Sequence, residues 1–214
     1  TKVDLVQRKV LGTIKLSQYF NRPDALALIA QPGKKPKYVP DPSQLGAEIC
    51  TTPGMPQDVR ASPDGKLFYV ADMMADGVHV VDGESFKQVG FIATGMGTHG
   101  LYPSRDGKSL YVANRGSNTV RGTPRGKGSV SVIDFATGKV TKNWPIPGGG
   151  SPDMGNVSAD GKYLWLSGRY DNLVYRFNTD TGAVDKIKVG QEPHGLTVWP
   201  QPGRYSLGHT GNLR

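Results

Sequence analysis

Thr98-His99-Gly100-Leu101-Tyr102-Pro103-Ser104-Arg105-Asp106-Gly107-Lys108-Ser109-Leu110-Tyr111-Val112-Ala113-Asn114-Arg115 is followed, after an insertion, by Ser129-Val130-Ser131-Val132-Ile133-Asp134-Phe135-Ala136-Thr137-Gly138-Lys139-Val140. Three short runs rich in apolar and β-branched residues stand out, at 100–102, 109–113 and 130–133. Asp106-Gly107 and Ala136-Thr137-Gly138 punctuate them, the turn chemistry of short antiparallel strands joined by tight hairpins.

The same pattern recurs outward in both directions. Asp64-Gly65, Asp106-Gly107 and Asp160-Gly161 open equivalent hairpins, and Pro202-Gly203 takes a fourth such position, with offsets of 42, 54 and 42 residues. Four residues after each glycine stands a large apolar residue: Tyr69, Tyr111, Trp165 and Leu207. Val80-Val81-Asp82, Val132-Ile133-Asp134 and Arg176-Phe177-Asn178 correspond further along. Turn, strand and spacing recurring together at a period of about 40–50 residues predict an all-β propeller of four-stranded antiparallel blades.

On these residues the chain resembles the YVTN-type β-propeller repeat family. Leu110-Tyr111-Val112-Ala113-Asn114 carries the repeat with Ala113 in place of Thr, and Phe68-Tyr69-Val70-Ala71-Asp72 and Leu164-Trp165-Leu166-Ser167-Gly168 are looser copies. The resemblance covers 54–214 and a short N-terminal piece, and is nearest to secreted actinobacterial, YncE-like members. It implies an exported protein and a ring of about seven blades. A fold of this kind does not by itself fix an activity.

The blades are expected at 54–94, 95–148 and 149–190, with a fourth assembled from 191–214 and 1–14. Val3-Asp4 followed by Lys9-Val10 repeats Ile133-Asp134 followed by Lys139-Val140, so the two ends are expected to supply complementary halves of one blade and remove an open sheet edge. A closed four-bladed ring, a piece of a larger propeller and a homodimer completing a larger ring all agree with that count. The stretch 17–53, with six prolines and Lys34, Lys35 and Lys37, is an insertion that the repeat does not require.

Twenty-six Lys and Arg against eighteen Asp and Glu give a formal charge of +8, and Cys50 alone provides no disulfide framework. No run of eighteen apolar residues suggests a membrane span. A chain that starts at Thr1 without a signal peptide is expected to be a mature form or a fragment.

In a propeller the loops leading into the innermost strands open on one mouth of the channel. Those loops hold Pro56-Gln57-Asp58, Thr98-His99-Gly100, Pro152-Asp153-Met154 and Pro193-His194-Gly195. Gln57, His99, Asp153 and His194 occupy equivalent positions and, with Asp58, form the candidate ligand site. His99 and His194 are the candidate metal ligands. Loops between second and third strands reach the same face and bring Arg115, Arg121, Arg125, Lys127 and Arg169 to it, a candidate surface for an anionic polymer such as nucleic acid. The nucleophile elbow, the phosphate-binding loop and the dinucleotide fingerprint are all missing from the sequence, and no cofactor is required. A non-catalytic binding or scaffold protein, taking a small ligand, a protein or an anionic polymer, is the expectation. The alternatives are a propeller enzyme using His99, His194 and Asp153, of metal-dependent hydrolase, lactonase or cofactor-dependent oxidoreductase type, and a polyanion binder.

Overall fold

A computed structural model describes residues 1–14, 16, 54–117 and 122–200. Arg121, Cys50, Leu207, His209, the insertion 17–53 and the turn at Pro202-Gly203 lie outside the described residues. Those described contain fourteen strands and no helix. β1 (Lys2–Asp4) and β2 (Lys9–Gly12) form a hairpin of their own. Three antiparallel four-stranded sheets follow. The first comprises β3 (Pro56–Ala61), β4 (Leu67–Asp72), β5 (Gly77–Asp82) and β6 (Gln88–Ala93). The second comprises β7 (Thr98–Pro103), β8 (Ser109–Asn114), β9 (Ser129–Asp134) and β10 (Lys139–Pro145). The third comprises β11 (Gly155–Val157), β12 (Tyr163–Gly168), β13 (Leu173–Asn178) and β14 (Val184–Lys188). The protein is an all-β propeller, and each sheet is one blade.

The strand sequences read as continuous apolar runs because both faces of the middle blade are covered. Leu110 and Val112 of β8 point into a core shared with Tyr69, Ala71, Val78 and Val80 of the first blade. Tyr111 and Ala113, the alternate residues, point into a core shared with Val157, Leu164, Leu166, Tyr175 and Phe177 of the third. Two-sided burial replaces the polar-out alternation of a half-exposed sheet. Polar groups fasten the same seams. Asp58 Oδ2 accepts from Leu101 N at 3.0 Å, Tyr102 Oη accepts from Gly155 N at 2.9 Å, and Arg105 donates to the carbonyls of Val157 and Ser158. Burial pushes the Tyr102 phenol well above its ordinary value, so it stays neutral at this seam.

Each blade has a lower end, where the Asp-Gly turns lie, and an upper end, where the chain enters the innermost strand. At the upper end the first strand bulges. The register slips between Pro56 and Asp58 and again between Thr98 and Gly100, which leaves Gln57 and His99 as the extra residues. In the third blade Asp153 N donates to Ser167 O while Ser167 N donates to Met154 O, so Asp153 and Met154 together face one residue. A bulge re-aims the side chain it carries, and these three bulges aim Gln57, His99 and Asp153.

Candidate functional site

His99 and Asp153 come from adjacent blades and meet. His99 Nδ1 lies 3.1 Å from Asp153 Oδ1, with the two residues only 5% and 2% exposed. The contact sets an imidazole nitrogen against a carboxylate oxygen in the protein interior. Arg115 stands behind them, its Nε 4.0 Å from the same Asp153 oxygen and its side chain 4% exposed overall as a residue. The chain turns sharply at Arg115, whose N donates to Gly97 O, and the guanidinium is drawn inward. There Nη1 donates to Met73 Sδ at 2.9 Å and Nη2 to Tyr170 Oη at 2.7 Å. The Arg115 guanidinium carbon lies 5.2 Å from the Tyr170 ring centroid and that of Arg169 5.6 Å, so the ring sits against two cations.

The insertion after β8 docks on this cluster. Gly122 lies against the Tyr170 ring, and Arg125 N donates to Asp171 Oδ1 at 2.6 Å. Asp171 Oδ2 accepts from Ser151 N at 2.7 Å and from Tyr175 Oη at 2.6 Å, joining the insertion to the third blade. Burial and the Asp171 carboxylate push the Tyr175 phenol upward, which keeps it a donor.

Of the residues singled out from sequence, the fold brings together His99, Asp153 and Arg115. Gln57 is exposed and donates to Met55 O at 3.2 Å. Asp58 is occupied within the scaffold: Oδ1 accepts from Arg60 Nη1 at 2.7 Å and Val59 N at 2.8 Å, and Oδ2 from Leu101 N. His194 is exposed in the stretch 189–200, which contains no strand. Arg125 and Lys127 are exposed and Arg169 half-buried, whereas Arg115 is an interior residue. Among the described residues no three His, Cys, Asp or Glu side chains are placed to hold a metal.

Sequence reasoning missed the buried role of Arg115, the Arg60–Asp58 pair and Asp171 as a junction. The only available signal for Arg60 was a cation two residues after an acid in an otherwise alternating strand. His79, in the middle of β5, is fastened within its own blade: Nε2 lies 3.2 Å from Asp72 Oδ2 and Nδ1 3.2 Å from Gln88 Nε2. Burial alone would raise the Asp72 carboxyl. Bonds from His79 and from the Met55 and Ala75 amides outweigh it and hold the group below its ordinary value.

Blades with shared apolar seams and a polar, partly cationic upper end define the class: a β-propeller with a loop-built site. The chain belongs to the YncE-like β-propeller family, whose sequence model matches residues 42–203. No curated protein matches it. Among solved structures, hydrazine synthase from Kuenenia stuttgartiensis is similar at 21% identity and a TM-score of 0.52, over 70% of this chain and 44% of that one. Virginiamycin B lyase from Staphylococcus aureus is similar at 16% identity and 0.51, over 65% and 44%. The WD40 repeats of RRP9 match at 14% identity and 0.51, over 67% and 42%. The chain thus spans less than half the length of these structures, and at such identities the likeness concerns the fold alone.

Proposed function

We propose that this chain is a non-catalytic binding propeller that takes a ligand bearing phosphate or carboxylate groups on its upper end. The observation that carries the reading is the convergence of His99 and Asp153, from bulges at equivalent positions of adjacent blades, with Arg115 and Tyr170 immediately behind. Rigid strand ends hold these groups. The exposed Arg125 and Lys127 beside them, in a chain of net charge +8, supply long-range attraction for an anion. Asp153 offsets the charge of Arg115, so the site favours a ligand that also brings a hydrogen-bond donor. An exported location, implied by the family resemblance, is part of the same proposal.

Calorimetry with a single-stranded DNA oligonucleotide and with inorganic phosphate tests it, at low and at physiological salt. Binding that weakens with salt, and is lost in the double variant Arg125→Glu/Lys127→Glu, is the expected result. Absence of binding by either probe at low salt, or binding indifferent to the double variant, overturns it.

A further inference from the structure

One position of the repeat holds a tryptophan in the second blade and a smaller residue in the first. Trp144 pairs with Val130 across β10 and β9, and Ile92 pairs with Val78 across β6 and β5. Val130 and Val78 are themselves equivalent, each pairing with an alanine of the second strand, Ala113 and Ala71. Trp144 and Ile92 both face the next blade and join the core shared with it.

Trp144 fills the seam between the second and third blades. Its ring lies 5.6 Å from that of Tyr111 and stacks on Phe177 at 6.3 Å, and only 6% of the residue is exposed. On the far side is Gly182, in the turn after β13, where a Cβ would run into the indole. Gly138, in the turn after β9, is its counterpart. Gly138 and Gly182 each donate their amide to the carbonyl four residues back at 2.8 Å, with φ of 64° and 76°. A Cβ on Gly138, however, would meet nothing within 4 Å. The shorter Ile92, half-buried, leaves that wall bare.

The space left between the first two blades is a cavity of about 400 Å³, within the range of small-molecule sites. Leu67, Tyr69, Gly90 and Ile92 line it from the first blade, and Phe135 and Gly138 from the second. Tyr69 and Phe135 meet edge to face in its wall, with centroids 5.3 Å apart and planes at 72°, an arrangement that a third ring extends. None of the described residues lining it is charged, so an ion buried there would lack a partner. It lies beside the turn after β9, towards the lower end of the blades and away from His99 and Asp153.

We infer that this cavity binds a free, neutral molecule carrying a planar aromatic ring of indole size. The second seam supplies the template, because the repeat itself sets an indole between Tyr111 and Gly182. The first seam presents Tyr69 and Gly138 in the same arrangement without the ring. Binding there draws on buried apolar surface rather than charge, and is independent of anion binding at the upper end.

Calorimetry of the whole chain with indole tests this. A saturable single-site isotherm is expected, unchanged by salt and by Arg125→Glu/Lys127→Glu. Intermolecular nuclear Overhauser effects in the unaltered chain should run from indole to the Ile92 methyls and the Phe135 ring. Ile92→Trp copies the second seam, and should abolish binding while raising the melting temperature. Gly90→Val should abolish it from the neighbouring position on the same face, where an added Cβ meets only Val80, at 3.5 Å. No saturable binding up to about 1 mM indole overturns the inference, as do Overhauser effects to other residues only. Binding that persists in folded Gly90→Val or Ile92→Trp does the same. Equal affinity for cyclohexanol would remove the aromatic preference, and binding of a tryptophan-containing peptide but not of indole would assign the cavity to a partner's side chain; either result overturns the proposal.

Discussion

The two ends of the blades are built on opposite plans. At the lower end every blade repeats one device: Ser62, Ser104 and Ser158 donate to Asp64, Asp106 and Asp160, each at 2.6 Å. The same serine oxygens accept from Leu67, Ser109 and Tyr163 amides at 2.9, 2.9 and 3.0 Å. The glycines that follow have φ of 73°, 69° and 76°, a left-handed turn that glycine adopts without a Cβ penalty. At the upper end no two blades agree: the equivalent bulges carry Gln57, His99 and Asp153, and the second strands end in Asp72, Asn114 and Gly168. Repetition marks the scaffold, and departure from it marks where selection for a ligand could act.

The comparison requires that both ends hang on one cooperative body, and the seam cores are where it would break. Phe177 is fully buried in the core between the second and third blades. Phe177→Ala should cost about 3–5 kcal/mol, read as a lower urea midpoint in a single transition. Separate transitions for the blades would mean that the two ends need not share a fate.

A smaller effect sharpens it. Ser104→Ala removes one bond to Asp106 and one from Ser109, at about 1 kcal/mol each. Ser62→Ala and Ser158→Ala should cost the same within error, because the geometry is the same. None of the three should change ligand binding. Unequal costs would show that the lower turns differ in ways their shared geometry conceals.

This contrast also explains what could be read from the sequence. The lower turns are local: serine, aspartate and glycine lie within four residues, so the spacing of Asp-Gly pairs carried the blade period. The upper site is tertiary. His99 and Asp153 are 54 residues apart in the chain, and only the repeat alignment placed them on one end. Arg115, next to a strand end, read as a surface cation, because nothing local reveals that Met73 and Tyr170 would draw it inward. Gln57 and His99 occupy equivalent bulges of adjacent blades yet differ in fate, since His99 meets the Asp153 carboxylate of the next blade.

Asp153→Asn tests the upper end directly. The exchange keeps the shape of the side chain and removes the charge beside His99 and Arg115. The charge it removes offsets the buried Arg115, so the midpoint of unfolding should also fall, while the fold persists. Titration with phosphate or the oligonucleotide should change markedly, and equal binding by the two proteins would detach Asp153 from the site.

The smallest effect concerns acid, where the lower-end carboxyls and Asp76 should respond with opposite sign. At the lower end, serine and threonine hydroxyls, then backbone amides, hold the carboxyls of Asp64, Asp82, Asp106, Asp134 and Asp160 below the ordinary value. Stability from these groups is present above the unfolded value near 4 and is lost as pH falls through their lower folded values. Asp76 at the upper end is the reverse case: burial raises its carboxyl, the Gly97 amide counters this in part, and the Asp72 charge adds to the rise. The folded chain binds that proton more tightly than the unfolded one, so a charged Asp76 costs stability at neutral pH and the cost vanishes as pH falls through its raised value. An asparagine at this position keeps an oxygen for Gly97 N, which now lies 2.7 Å from Asp76 Oδ1. Asp76→Asn should therefore raise the melting temperature at neutral pH, and the gain should shrink to nothing in acid. A gain that persists unchanged below pH about 4 would mean that the carboxyl's charge is not its source.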